Sequence, residues 1–230
     1  MKYFASLFLL LLTAVTVNAQ TYEIGGLIGG SNYIGDIGNS NYIFPTHTAV
    51  GGIVKWNRST RHSFRGSVMI ARIDGDDSES DNSRRKQRGY SFNNVVKEAS
   101  LGIEYTFWEY DVHNQQLIST PYLYTGLTVF GYSELYKNPS GEIEKYDNGI
   151  NFAIPMVIGF KAAMSRRMKI GFEVGARYTF TDNLDGSNPK DTPGDDENLK
   201  FGNTDSNDWY VFTGITVTFA FGRKPCYCNF

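Results

Sequence analysis

Three histidines, two cysteines and one short acidic run are the residues from which a catalytic or metal site would have to be built. A Ser–His–acid arrangement needs its members within hydrogen-bond reach of one another. The strand pattern set out below places His47 at the outer end of one strand, His62 at the inner end of the next and His113 in an inner turn. They cannot share a site, and no serine is evidently paired with His47. Cys226 and Cys228 lie at the extreme C-terminus and cannot staple a fold. In a C-x-C pair the extended chain holds the Cα atoms near the upper limit for a disulfide. Asp195-Asp196-Glu197 offers oxygen ligands for a divalent cation, but its spacing matches no EF-hand, and a solvated acidic loop is the simpler reading. GGLIGGSNYIGDIG lacks the P-loop lysine and a following helix. Its glycines read as places where a strand bends or packs closely. These residues imply no cofactor, no metal and no catalytic group.

The elements that carry them begin after a leader. Residues 1–19, MKYFASLFLLLLTAVTVNA, join one basic residue, Lys2, to an apolar stretch and a small-residue ending, Val17-Asn18-Ala19. That is the pattern of a secretory signal peptide, with the mature chain starting at Gln20. Beyond it no run approaches the roughly 18 apolar residues of a membrane helix. The formal net charge of −2 becomes −3 when Lys2 leaves, too small a bias to imply a nucleic-acid partner. Aromatics at 15% and 24 glycines suit strands with an aromatic girdle and closely packed backbones.

Period-two alternation marks eight strands, over 22–30, 46–56, 61–73, 95–110, 119–132, 150–163, 168–181 and 208–222. In the last, Trp209, Val211, Thr213, Ile215, Val217, Phe219 and Phe221 form one register; Tyr210, Phe212, Gly214, Thr216, Thr218, Ala220 and Gly222 form the other. Such a pattern fits a soluble sandwich or a membrane barrel. Strand lengths above the ordinary five or six favour the barrel, as do aromatics near strand ends. So do connections that alternate short (57–60, 111–118, 164–167) and long (31–45, 74–94, 133–149, 182–207). The expectation is an all-β, eight-stranded antiparallel up-and-down transmembrane barrel over 20–222. It would sit among outer-membrane lipids with both termini periplasmic, and a tail over 223–230 would follow it.

Extending the alternation puts Glu23, Lys55, Arg65, Glu98, Glu104, Lys161, Lys169, Glu173 and Arg177 on the inward face. Buried charges persist when paired, and an eight-stranded lumen is only wide enough for side chains to fill. A plugged barrel is expected, held by cross-lumen ion pairs, without a pore. The tail, GRKPCYCNF, is basic at Arg223 and Lys224 and carries both thiols. In an oxidising compartment these thiols would pair with a partner's, pair locally, or do neither of consequence.

Several strings have more than architecture in common with a known group. GGSNYIGDIG, KWNRSTRHSFR, RKQRGYSF, GARYTFTDNLDGSNP, SNDWYVFTG and FGRKPCYC occur in this order across the mature chain. The ordered set resembles the PorG-like outer-membrane proteins of Bacteroidetes, associated with the type IX secretion system. The resemblance implies a non-catalytic barrel that anchors or contacts a periplasmic ring built from a lipoprotein and its partner. Topology then suggests a partner-facing surface made of the inner turns and the tail: Arg58, Arg61, His113, Arg166, Arg167, Arg223, Lys224, Cys226 and Cys228. The competing expectation is a stand-alone structural or adhesive barrel that displays its long loops.

Overall fold

A computed structural model describes residues 21–39, 41–111, 118–138, 140–190, 192, 196–203 and 205–222. The expected leader over 1–19, His113 and the expected tail over 223–230 lie outside the described residues.

Eight strands, β1 (Thr21–Ile34), β2 (His47–Asn57), β3 (His62–Asp76), β4 (Ser91–Thr106), β5 (Ser119–Lys137), β6 (Ile143–Ala163), β7 (Met168–Thr179) and β8 (Trp209–Gly222), close into one barrel in sequence order. All neighbours are antiparallel, and β1 pairs with β8 from Thr21↔Gly222 to Ile34↔Trp209. Thr21, Gly222 and the turns after β2, β4 and β6 share one end, here the inner end; the other four connections share the outer end. Closure depends on inward glycines of β1. A Cβ on Gly25 would collide with the Val217 carbonyl oxygen, and one on Gly29 with that of Thr213. The glycine-rich string is thus a seam where two backbones approach closely.

Five strands, β1 and β3 to β6, run further outward than the alternation suggests, whereas β7 stops at Thr179, short of the expected 181. β1 reaches Ile34, β3 reaches Asp76, and β4 occupies 91–106, where 95–110 was expected. The reason lies in a polarity reversal along the wall. In the middle of β3 and β4 the outward residues are Val68, Ile70, Leu101 and Ile103, all exposed. Towards the outer end the outward positions become Arg72, Asp74, Asn93 and Lys97, while the inward ones become Ile73, Phe92 and Val96, all buried. The apolar-out pattern therefore stops before the strand does.

The segment 133–149, expected as a long loop, is mostly a hairpin. β5 and β6 pair through Lys137↔Ile143, with a bulge at Glu134/Leu135, and leave only 138–142 as a turn. Asn138 closes it, accepting the Glu142 N–H at 2.9 Å on its side chain, and Gly141 takes the left-handed φ of 89°. A T-shaped Tyr136–Tyr146 pair and a Tyr136 hydroxyl donating to Glu144 at 2.9 Å stiffen it. Since β4 leaves β5 at Gly131 and β6 meets β7 only from Ala153, this hairpin projects past its pairing with both neighbours, as the β3–β4 hairpin does through Asp76↔Ser91.

Candidate functional site

All nine charged residues expected on the inward face are there and are buried. Glu104 on β4 gathers three cations, with Lys55 Nζ at 2.7 Å, Lys161 Nζ at 2.7 Å and Arg65 at 3.6 Å. Arg65 spans the lumen to Glu173 through two bonds of 2.8 Å, and Tyr122 donates its hydroxyl to the same carboxylate at 2.6 Å. Nearer the outer end Arg177 pairs with Glu98 at 2.9 and 3.2 Å, and Tyr210 donates to Glu98 at 2.6 Å. Near the inner end Glu23 accepts from Asn57 at 2.9 Å and Thr218 at 2.6 Å. Lys169 donates to the Ser165 carbonyl at 3.1 Å. Seven of these charges meet an opposite charge, while Glu23 and Lys169 are held by an amide, a hydroxyl and a backbone carbonyl. Arg65 Nε and the Tyr124 hydroxyl are buried without a hydrogen-bond partner among the described residues. The arrangement has no evident nucleophile–base pair.

Above this charged storey sits an apolar one. Phe130, Tyr132, Tyr210, Phe212, Ile73, Phe92 and Val96 pack with Ile37 from the first outer connection and Leu184 from the last. The outer connections close over it. Asp77, fully buried, accepts two bonds from Arg88 at 2.7 and 2.8 Å and the Gly38 N–H at 3.1 Å. Burial alone would raise the Asp77 carboxyl, but Arg88 and the Gly38 and Tyr90 amides outweigh it and hold the pKa low. Arg88 sits in the short helix Ser83–Arg88 and also donates to the Asp36 carbonyl at 2.8 Å. Tyr33 ties the last connection down: its hydroxyl lies 2.7 Å from Asp185 and 2.5 Å from Asp208. A phenol has one proton to donate, so bonding to both carboxyls requires a second proton on one of them. Consistent with that count, burial and mutual repulsion raise the pKa of Asp208, and burial raises that of Asp185.

Outside, the wall carries a continuous apolar belt. Ile24, Ile28, Val54, Val68, Leu101, Ile103, Leu127, Ile158, Phe172 and Phe219 are between 49 and 69% exposed. Aromatic pairs border it at both ends: Tyr22–Phe221 and Trp56–Phe64 at the inner end, Tyr178–Trp209 at the outer end. From Trp209 to Phe221 on β8, at about 3.4 Å per residue and a tilt near 40°, the belt is roughly 30 Å tall.

The inner rim is basic. Arg58, Arg166 and Arg167 are exposed in its turns, while Arg61 is pinned to the Phe107 carbonyl at 3.1 Å and to Glu109 at 3.7 Å. His113, Arg223, Lys224, Cys226 and Cys228 lie outside the described residues, as does Asp195. His47, with Nδ1 3.0 Å from Asp74, is at the outer end, whereas His62 is at the inner end beside Ser59 at 3.3 Å. The two do not converge. Sequence reasoning missed the Tyr33–Asp185–Asp208 contact, because its partners are 152 and 175 positions apart and no periodic pattern links them.

The chain belongs to the family described as "Domain of unknown function (DUF6089)", whose model matches residues 1–230. No curated protein matches the sequence. Among solved structures it is similar to the N-terminal β-barrel domain of Pseudomonas aeruginosa OprF, with 11% identity, 89% of this chain and 98% of that one covered, and a TM-score of 0.47. Neisserial surface protein A gives 10% identity, 88% and 95% coverage and a TM-score of 0.44. A major outer membrane protein of Thermus thermophilus gives 14%, 88% and 98%, and 0.41.

Proposed function

We propose that this member of the DUF6089 family is a non-conducting outer-membrane barrel that serves as a scaffold, meeting a periplasmic protein assembly with its inner rim. One observation carries the reading: the lumen is crossed by buried ion pairs that link facing strands and, above them, by an aromatic storey. A filled lumen leaves the two rims and the outer wall as working surfaces. The exposed belt supports placement in a bilayer, since a soluble monomer rarely leaves a contiguous apolar patch of more than a few hundred Å² in water. Its height suits a hydrocarbon core of about 30 Å. The leader pattern of residues 1–19 fits export to that membrane. Thr21 and Gly222, the first and last described residues, share the inner end, which supports reading that rim as the periplasmic one.

The assembly we favour is the lipoprotein-containing ring of the type IX secretion machine. This rests on the ordered strings that resemble the PorG-like proteins. The contact surface would comprise Arg58, Arg61, Arg166 and Arg167 with His113, Arg223, Lys224, Cys226 and Cys228. The test is affinity purification from outer membranes in mild detergent. The triple variant Arg58→Glu, Arg166→Glu, Arg167→Glu should lower recovery of periplasmic partners about tenfold or more, because each charge is inverted at the contact. The barrel itself should be unchanged. Undiminished recovery contradicts the rim's role, and comparison with and without reductant tests a disulfide through the tail.

The projecting β5–β6 hairpin favours a second reading, a stand-alone structural or adhesive barrel. Surface binding that depends on this hairpin, with no periplasmic partner recovered, would support it.

A further inference from the structure

The first outer connection, residues 35–46, does not simply arch over the mouth. Part of it turns down against the outer wall. Asn32 points outward from β1, yet it is only 4% exposed. Its side chain donates to the carbonyls of Asn41 at 3.0 Å and Tyr42 at 3.4 Å and accepts the Phe44 N–H at 3.4 Å. Val211, the outward residue of β8 in register with Asn32, is 3% exposed, whereas Ile215 further along the same face is 45% exposed. A polar side chain on the outer wall thus serves to hold the connection in place. What the connection then presents is apolar: Tyr42, Ile43 and Phe44 are 75%, 59% and 59% exposed.

Between this flap and the wall runs a groove of about 470 Å³. Tyr42 and Ile43 form one side, Met156 and Ile158 of β6 the other, and Ala176 and Val211 lie between them. The registers Met156↔Ala176 and Ala176↔Val211 place these residues side by side across three adjacent strands. The small Ala176 leaves the depth, and the groove opens onto the same apolar face as the belt.

We propose that this groove holds one acyl chain of an outer-leaflet lipid, clamped between the flap and β6. The inference rests on the membrane placement proposed above and adds a defined lipid site to it. The occupant is argued from continuity with the belt: the groove is a recess in a surface that faces hydrocarbon, at its outer half, next to the aromatic pair Tyr178–Trp209. Lining of this kind offers an aliphatic chain buried contact along its length and few groups for a polar ligand. An exposed Tyr-Ile-Phe run above the membrane would be an aggregation liability; laid against the wall in hydrocarbon it is not.

The experiment is native mass spectrometry of the full chain, extracted from outer membranes and exchanged into a detergent that strips annular lipid. The unaltered protein should retain one lipid, identified by its mass. Ala176→Trp fills the groove and should lower occupancy about tenfold or more through lost apolar contact. Should that variant fail to fold, the triple change Tyr42→Ser, Ile43→Ser, Phe44→Ser leaves the wall intact and should give the same loss. Equal retention by all three proteins, no retention by the unaltered protein, or a dimer mass in place of the lipid overturns the inference. The same preparation separates the two readings. Solubility without detergent would defeat the membrane placement, whereas a detergent-requiring barrel that retains no lipid defeats only the groove.

Discussion

Arg65 and Glu173 stand 108 residues apart in the chain and meet across the lumen through two parallel bonds of 2.8 Å. The guanidinium and carboxylate are 1% and 0% exposed, and the same guanidinium lies 3.6 Å from Glu104. Strands β3 and β7 are therefore braced against each other independently of the sheet. Glu173→Ala would leave Arg65 with one distant carboxylate and Tyr122 without its acceptor. Breaking one side of a buried pair costs about 3–5 kcal/mol. The expected outcome is a lower denaturant midpoint, read by loss of the heat-shifted gel band. A midpoint unchanged from that of the unaltered protein would show that the brace contributes nothing.

Neighbouring glycines on β1 should differ sharply. On Gly25 a Cβ meets the backbone of β8, while on Gly26 the nearest atom, the Gly51 oxygen, is 3.5 Å away. Gly25→Ala should stop β1 and β8 from closing and yield no heat-shifted form. Gly26→Ala should fold as the unaltered protein does. If both variants behave alike, the close approach at this seam is not a condition of closure.

The cap over the outer mouth should loosen as pH rises. Burial, with Asp185 and Asp36 adding to it, pushes the Asp182 carboxyl up to about 7, against an Asn188 hydrogen bond that lowers it. Asp185 and Asp208 are raised in the same connection. A carboxyl with its folded pKa above the ordinary value of about 3.9 contributes fully below that value. Its contribution is lost as pH climbs to the folded pKa. Proteolysis of the β7–β8 connection should accordingly be faster at about pH 9 than at about pH 5 once the protease's own pH response is removed. Tyr33→Phe, which removes the hydroxyl between Asp185 and Asp208, should open the cap at both. Equal rates at the two pH values for the unaltered protein contradict the protonated contact.

Arg88 governs the other half of the cap. Arg88→Ala removes two bonds to the buried Asp77 and one to the Asp36 carbonyl. A hydrogen bond to a charged group is worth about 1.5–3 kcal/mol. The Gly38 and Tyr90 amides, both donors to Asp77, should exchange faster by at least tenfold, with amides of the mid-barrel strands unaffected. Exchange that does not change at those two amides would mean that the loop is held elsewhere.

The barrel was legible because its alternation is clean where the wall is apolar outside. Every inward charge from Glu23 to Arg177 follows from counting in twos along a strand. What the count could not give was partner choice across the lumen, such as Arg65 with Glu173, since shear and closure decide which strands face each other. It also stopped short at the outer ends, where residues such as Asp74 and Asn93 point outward and Phe92 points inward, so that extended strand reads as loop. Asn32 illustrates the last gap: as an outward polar residue in β1 it looks like an interruption, and only the folded connection shows it holding residues 41–44.

The filled lumen is the central claim, because it moves function to the rims. Conductance of the purified full chain in planar bilayers tests it most directly. The expected result is successful insertion with no ohmic steps, at neutral pH and in high salt. Stable, reproducible steps from the unaltered protein would mean that the lumen conducts, and would contradict the scaffold account.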